Sequence, residues 1–385
     1  MLQKRLQTGG AEERIRATQF GFRPKKSTAQ ALAIMRRIFD AAYSAGKPGM
    51  MALFLDWAKA FDRIKIDCLM AALQRFGVPQ PLLQLIGAIY DKRMFILRDS
   101  SGNSTKRLQR AGIAQGCPLS PYLFILVQTV LLSDVDRIMA SRGQGRLWPE
   151  EPPYLVCSDI LYADDTVLLS SVAGKLQMHL DILVEEGAKY GLELNWDKTV
   201  LLNINTEAEL ARPSRDKVKR VDRAVYLGSV LAASASAIPE LSRRLGEATG
   251  SFKSLESCWK HANITTDRKI GIYVACVVSK LMYCLDSLWL LQADRHRLDA
   301  FHTKCLRRIL NIPCSYISRA LNESVLKSAR QDRVSVLLEH RQNVLFNKIV
   351  ASPENDILRR VTLQPVSDCP RTWASSRRPV GAMRI

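Results

Sequence analysis

Acidic residues are in short supply in this 385-residue chain: 37 Asp and Glu stand against 56 Lys and Arg, a formal charge of +19. The deficit is uneven. Residues 1–200 carry 26 basic and 20 acidic side chains (+6), and residues 201–385 carry 30 and 17 (+13). Such an excess points to a polyanionic partner, nucleic acid before membrane, with the C-terminal half contributing more; a basic surface serving only solubility would carry the same charge. No two cysteines have CxxC spacing and no Cys/His cluster has zinc spacing, which excludes a zinc-finger framework. The nine cysteines are scattered, several in apolar runs (Cys276, Cys284), as expected of reduced core thiols in an intracellular protein. Residues Met1-Leu2-Gln3-Lys4-Arg5 lack the apolar core of a signal peptide. The most apolar stretch, 270–291, is interrupted by Lys280 and Asp286. Each would cost roughly 2.5–3.5 kcal/mol at a bilayer centre, so a buried helix is expected and a membrane partner is not. There is no internal repeat.

What is present is enough for two or three folded domains: 47% apolar and 24% charged residues over this length describe a globular chain. Residues 12–27 are polar and basic, and Gly21 and Pro24 mark a loop. Ser27 or Thr28 caps a helix with Leu32, Met35, Ile38, Phe39 and Ala42 on one face, ending near Gly46. Met50 to Leu55 is an apolar run that reads as a buried strand closing on Asp56. Helices are expected at 66–76 and 80–90, split by Gly77-Val78-Pro79, and a hairpin from 94–98 and 106–110. Ser120 and Pro121 open an apolar helix running to about residue 133. A further helix covers 174–190. Beyond about residue 230 the pattern is helical, and the last 20 residues, rich in Pro, Ser and Arg, read as disordered.

Between these elements lies Ile160-Leu161-Tyr162-Ala163-Asp164-Asp165-Thr166-Val167-Leu168-Leu169, two adjacent carboxylates between strand-forming runs. Neighbouring side chains on a strand point to opposite faces, so a hairpin with Ala163-Asp164-Asp165 at its tip is the simplest way to crowd both acids together. By itself the pair also suits a surface turn. Asp56, at the end of a separate buried strand, supplies a third carboxylate. An all-oxygen set from different strands suits Mg2+ and two-metal nucleotidyl transfer.

Six segments in order then resemble the reverse transcriptases of non-LTR (LINE-type) retrotransposons. Gln19-Phe20-Gly21-Phe22-Arg23-Pro24 resembles the fingers motif, Leu55-Asp56-Trp57-Ala58-Lys59-Ala60-Phe61-Asp62 motif A, and Gly112 to Pro121 motif B. Tyr162-Ala163-Asp164-Asp165 resembles motif C, Gly191 to Thr199 motif D, and Tyr226-Leu227-Gly228 the primer grip. The resemblance implies an α+β right-hand polymerase with a ferredoxin-like antiparallel palm sheet, partial fingers and a mostly helical C-terminal thumb. It places partial fingers at 1–49, the palm with inserted fingers elements at 50–230, a thumb and post-polymerase region at 231–350, and a disordered tail at 351–385.

The implied activity is RNA-directed DNA synthesis from dNTPs on a primer 3′-hydroxyl, with an RNA template, a DNA primer and two Mg2+ ions, Mn2+ being able to substitute. Asp56, Asp164 and Asp165 would be the metal-holding catalytic acids, and Lys198 would protonate pyrophosphate. Phe61, Gln115, Gly116 and Arg23 would contact the nucleotide. Tyr162, Tyr226, Leu227, Gly228, Lys25 and Lys26 would contact primer or template. Phe61 would clash with a 2′-hydroxyl and so favour dNTPs; as a residue type it equally suits a core. Only 18 residues precede Gln19, Ala114 stands where the family often has a basic residue, and no endonuclease, Cys/His knuckle or RNase H segment is recognisable. An N-terminally incomplete member is therefore expected. The alternative is a truncated, catalytically impaired remnant that retains nucleic-acid binding. The resemblance also implies an intracellular, nuclear location.

Overall fold

The computed structural model describes residues 1–363 apart from 92, 99–101, 103, 110, 145–147 and 262, with backbone alone at 95 and 97. They form two units, Met1–Ala31 with Gly46–Leu227, and Leu32–Ala45 with the chain from Gly228 onward.

The first unit opens in short helical turns at Leu2–Leu6 and Glu12–Arg14, the latter where the composition had suggested loop. Helix α1 (Thr28–Ala45) follows Ser27 and stops at Gly46, whose φ of +76° a side chain would resist; most of α1 belongs to the second unit. Strand β1 (Met50–Leu55) is buried along its whole length, which is why it reads as an unbroken apolar run. Helices α2 (Ile66–Phe76) and α3 (Gln80–Tyr90) lie where Gly77-Val78-Pro79 separates them. Strands β2 (Met94–Arg98) and β3 (Ser104–Leu108) pair as a hairpin, Met94 opposite Leu108.

Helix α4 (Ser120–Gly143) corrects two expectations. Leu119, not Ser120, holds the cap position, and the helix runs some ten residues beyond 133. It continues past residue 133 with Val135 in the core and Ile138 and Met139 packed against it at helical spacing, while Asp134 pairs with Arg75 of α2. Strands β4 (Asp159–Tyr162) and β5 (Asp165–Ser170), helix α5 (Ala173–Lys189), and strands β6 (Val200–Ile204), β7 (Lys219–Arg220) and β8 (Arg223–Tyr226) complete the unit.

The main sheet has the order β4-β5-β1-β6-β7. Its first four strands are antiparallel; β7 adds a short parallel edge to β6, so the sheet is mixed where an antiparallel one was expected. Alternation along β1 decides what each face does. Met51, Leu53 and Leu55 share a core with Leu69 and Leu73 of α2, Leu123 and Val127 of α4, and Leu180 and Leu183 of α5. The intervening residues, and Asp56 after them, point to the face away from these helices.

In the second unit, β9 (Ser229–Ala232) leads into helices α6 (Ile238–Ser254), α7 (Thr266–Tyr273), α8 (Gln292–Ile309), α9 (Asn322–Ala329), α10 (Val334–Ala351) and α11 (Ile357–Leu363). Leu241, Tyr273, Leu281, Leu298, Leu306, Val325 and Leu338 form its core. The stretch Thr266–Ser287 is long and apolar enough to cross a membrane by length and composition, yet half of it is buried within the protein. Helix α11, with Leu358 and Val361 buried, corrects the disordered tail expected from 351; the rest of that tail lies outside the described residues. The eight described cysteines are free thiols, but Cys276 is exposed, not a core residue, because helix periodicity turns it outward.

Candidate active site

Register brings the acids together. Leu55 of β1 pairs with Thr166 of β5, so Asp56, one residue on, lies beside Asp165 on the neighbouring strand. Tyr162 pairs with Asp165, leaving Ala163-Asp164 as a two-residue turn in which Ala163 has φ +56°. The hairpin tip is thus tighter than expected, and Asp165 already belongs to β5. Antiparallel strands lie about 4.8 Å apart, so three carboxylates share one edge of the open face. Their charges interact. Withdrawal from water, then the charges of Asp164 and Asp56, push the Asp165 carboxyl up to about 6. The Asp164 carboxyl is raised for the same two reasons, desolvation first and Asp56 second.

Two further segments are stitched to the end of β1. Asn195 N–H donates to Asp56 O at 2.7 Å and Ala58 N–H to Glu193 O at 2.8 Å. The turn that follows places Lys198 Nζ 3.6 Å from Asp56 Oδ2. On the other side, Gly112 N–H donates to Ile64 O (2.8 Å) and Ile113 N–H to Phe61 O (2.6 Å). Gly112, at φ +94°, fits there because a Cβ would meet Asp62 O at 2.9 Å. The loop beyond it carries Gln115, whose Nε2 donates to Asp62 Oδ1 at 3.0 Å, and Gly116 at φ +84°, both exposed. Phe61 is partly buried and stacks on Phe124 of α4 with ring centroids 4.7 Å apart.

The remaining expected residues divide. Tyr162 is partly buried on the carboxylate face, with its hydroxyl pKa raised by desolvation. Tyr226 is buried against Phe54 (5.8 Å between centroids), and its hydroxyl, buried without a hydrogen-bond partner among the described residues, is driven up by burial and then by the charges of Asp165 and Tyr162. Leu227 holds a left-handed turn at φ +47°. The Gly228 carbonyl accepts from Arg243 and Arg244. Arg23 is spent locally. Its guanidinium bonds Glu12 Oε2 (3.1 Å), Glu12 O (2.8 Å), Arg16 O (3.3 Å) and Gln19 O (3.3 Å), so it serves as a strut in the loop. Lys26 lies over the Phe20 ring at 5.2 Å, and Lys25 is exposed at φ +63°.

Sequence reasoning missed the buried polar side chains linked in series behind the hairpin: Gln19 to Gln128, Gln128 to Thr166, and Trp57 to Thr166. Gln128 and Thr129, polar residues in an otherwise apolar helical run, were the available signal.

The donor set fits a hard cation. It offers carboxylate oxygens alone, and their mutual repulsion is what a divalent ion would relieve. Among the described residues no three His, Cys, Asp or Glu side chains close into a ready-made cluster.

Carboxylates on the open face of a helix-backed sheet, with a lysine and a glutamine loop at their edge, define a polymerase palm. Residues 1–231 match the family described as reverse transcriptase (RNA-dependent DNA polymerase), and the chain belongs to that family. It is 26% identical over 355 residues to the "Probable RNA-directed DNA polymerase from transposon BS" of Drosophila melanogaster, covering 86% of this chain and 37% of that protein. It is 27% identical over 248 residues to the "Retrovirus-related Pol polyprotein from type-1 retrotransposable element R2" of Popillia japonica, covering 60% and 32%. The chain thus spans about a third of the length of these relatives. Telomerase from Candida Tropicalis, solved with a TWJ fragment of telomeric RNA, is a distant structural likeness: TM-score 0.48 and 12% identity over 94% of this chain and 56% of its own.

Proposed function

We propose that this chain carries the RNA-directed DNA polymerase activity of a non-LTR retrotransposon, extending a DNA primer along an RNA template with dNTPs. The carrying observation is the register that sets Asp56 beside the Asp164–Asp165 hairpin, with Lys198 3.6 Å from Asp56. In the reaction, the primer 3′-oxygen forms a bond to the α-phosphorus of the dNTP and the bond to the β-phosphate oxygen breaks. The hydroxyl proton leaves to solvent and pyrophosphate departs. Asp56, Asp164 and Asp165 are the groups that would hold two Mg2+ or Mn2+ ions, which supply a lowered hydroxyl pKa and neutralisation of the leaving group. Lys198, exposed at the edge of the acids, is placed to give a proton to pyrophosphate. Phe61, braced by Phe124, is the side chain that meets a 2′-hydroxyl. Gln115 and Gly116 form the loop against which the nucleotide pairs. Tyr162 and the Leu227-Gly228 turn line the primer side, with Tyr226 buried on Phe54 beneath the turn, and Lys25 and Lys26 face the template. Arg23 acts on the nucleotide only through the loop that it braces.

Primer extension on an RNA template tests this. Activity in Mg2+ that Asp164→Asn lowers at least about a hundredfold supports it, the scale of losing one group that stabilises transition-state charge. Binding of primer–template with no extension by the wild-type chain would instead identify a nucleic-acid-binding remnant.

A further inference from the structure

Behind the carboxylates runs one buried polar chain that the reaction does not use. Gln19 Oε1 accepts from Gly21 N–H at 2.8 Å and from Ala163 N–H at 2.9 Å. Two backbone donors on one oxygen fix the amide's orientation, so Nε2 must face Gln128, and it donates to Gln128 Oε1 at 2.7 Å. Gln128 Nε2 then donates to Thr166 Oγ1 at 3.1 Å, as does Trp57 Nε1 at 3.2 Å. With both donors pointing in, the hydroxyl hydrogen of Thr166 turns to Asp164 O, 3.3 Å away. Gln19, Gln128, Thr166 and Trp57 are between 1% and 5% exposed.

We propose that this chain, centred on the Gln19–Gln128 amide pair, is the positioning device that holds the Asp164–Asp165 hairpin against Asp56 for divalent-cation binding. The proposal rests on the reading of these three acids as the cation-holding groups. Its geometry is particular. The chain grips the turn on both flanks, at the N–H of Ala163 and the carbonyl of Asp164, and ends on Trp57, the residue after Asp56. A grip is needed there for two reasons. Ala163 stands in a left-handed conformation that L-residues with a Cβ rarely adopt unaided. The adjacent acids also repel each other, which tends to open the turn until a cation is bound. Gly21 packs tightly on this turn, where a Cβ on it would fall 2.3 Å from Ala163 N. Loss of one amide leaves its neighbours along the chain without that partner.

Mn2+ titration of the full chain followed by electron paramagnetic resonance tests the proposal without recourse to activity. Gln128→Leu is expected to weaken Mn2+ binding by about tenfold, the usual effect of losing a partner that orients a ligand, and Thr166→Val by less. The Mg2+ concentration for half-maximal primer extension rises by the same factors, and KM for dNTP stays at the wild-type value. Should Gln128→Leu fail to fold, Thr166→Val, which loses one hydroxyl at constant shape, reads the same quantity. Folded variants that lose thermal stability yet bind Mn2+ with wild-type affinity would show packing alone and overturn the proposal, as would a wild-type chain that binds no Mn2+. A wild-type chain that extends no primer, but whose Mn2+ affinity falls in the variants, sinks the polymerase reading and leaves the positioning role standing. Extension with unchanged Mn2+ affinity in the variants does the reverse.

Discussion

Asparagine at position 165 keeps the shape of the side chain and deletes the charge that the neighbouring acids oppose. The Asp165 carboxyl is raised from 3.8 to about 6 by desolvation, then by Asp164 and Asp56. A folded-state pKa above the unfolded one means that the folded chain binds the proton more tightly between those values. The contribution of Asp165 to stability is therefore most favourable below 3.8, is lost as pH rises to about 6, and is a constant penalty above that. For a fully buried group such a shift would correspond to on the order of 3 kcal/mol. This side chain still reaches solvent, and screening reduces the figure to about 1 kcal/mol. For a unit of this size that is roughly 2–4 °C in Tm. Asp165→Asn should accordingly melt about 2–4 °C above wild type at pH 8 in EDTA while losing polymerase activity, with the advantage shrinking toward zero by pH 4. Saturating Mg2+ should narrow or reverse the difference, because the ion stabilises only the chain that binds it. Thermal unfolding at the two pH values measures this. A variant less stable than wild type at pH 8, or an advantage undiminished at pH 4, would refute the electrostatic account of the site.

Two other substitutions probe the surroundings of the acids. Phe61→Val removes the ring stacked on Phe124 at 4.7 Å, and the dNTP-over-rNTP ratio of kcat/KM should fall by at least about tenfold; an unchanged ratio removes Phe61 from sugar selection. Gly21→Ala would drive a Cβ to 2.3 Å from Ala163 N, and a loss of about 1–3 kcal/mol is expected in denaturant unfolding, where wild-type stability would contradict the close approach.

Much of this was legible in the residues because local physics wrote it there. Helix α2 stops at Gly77, whose left-handed φ of +89° suits a C-cap, and α3 starts just after Pro79. Strand β1 announces its burial as six apolar residues, and the hairpin at Ala163-Asp164 follows from apolar runs on either side of two acids. Where long-range partners decide, local reading went astray. Helix α4 outlasts its apolar run because Val135, Ile138 and Met139 still pack on the core, and α11 orders part of a tail whose composition looks disordered, with Leu358 and Val361 buried. Arg23 looked like a free cation for a nucleotide; Glu12 and three backbone carbonyls claim it instead.

The sequence by itself determined which chemistry was available: three carboxylates, a lysine, a phenylalanine and a basic C-terminal half, in the order of a reverse transcriptase. Tertiary structure alone decided their proximity. Asp56 meets Asp165 because Leu55 pairs with Thr166, and a slip of one residue would turn every side chain of β1 to the other face. The same register draws in Gln19 and Gln128, two amides distant in the chain. Neither segment points to the other, because a buried hydrogen bond is a property of the pair and not of either residue.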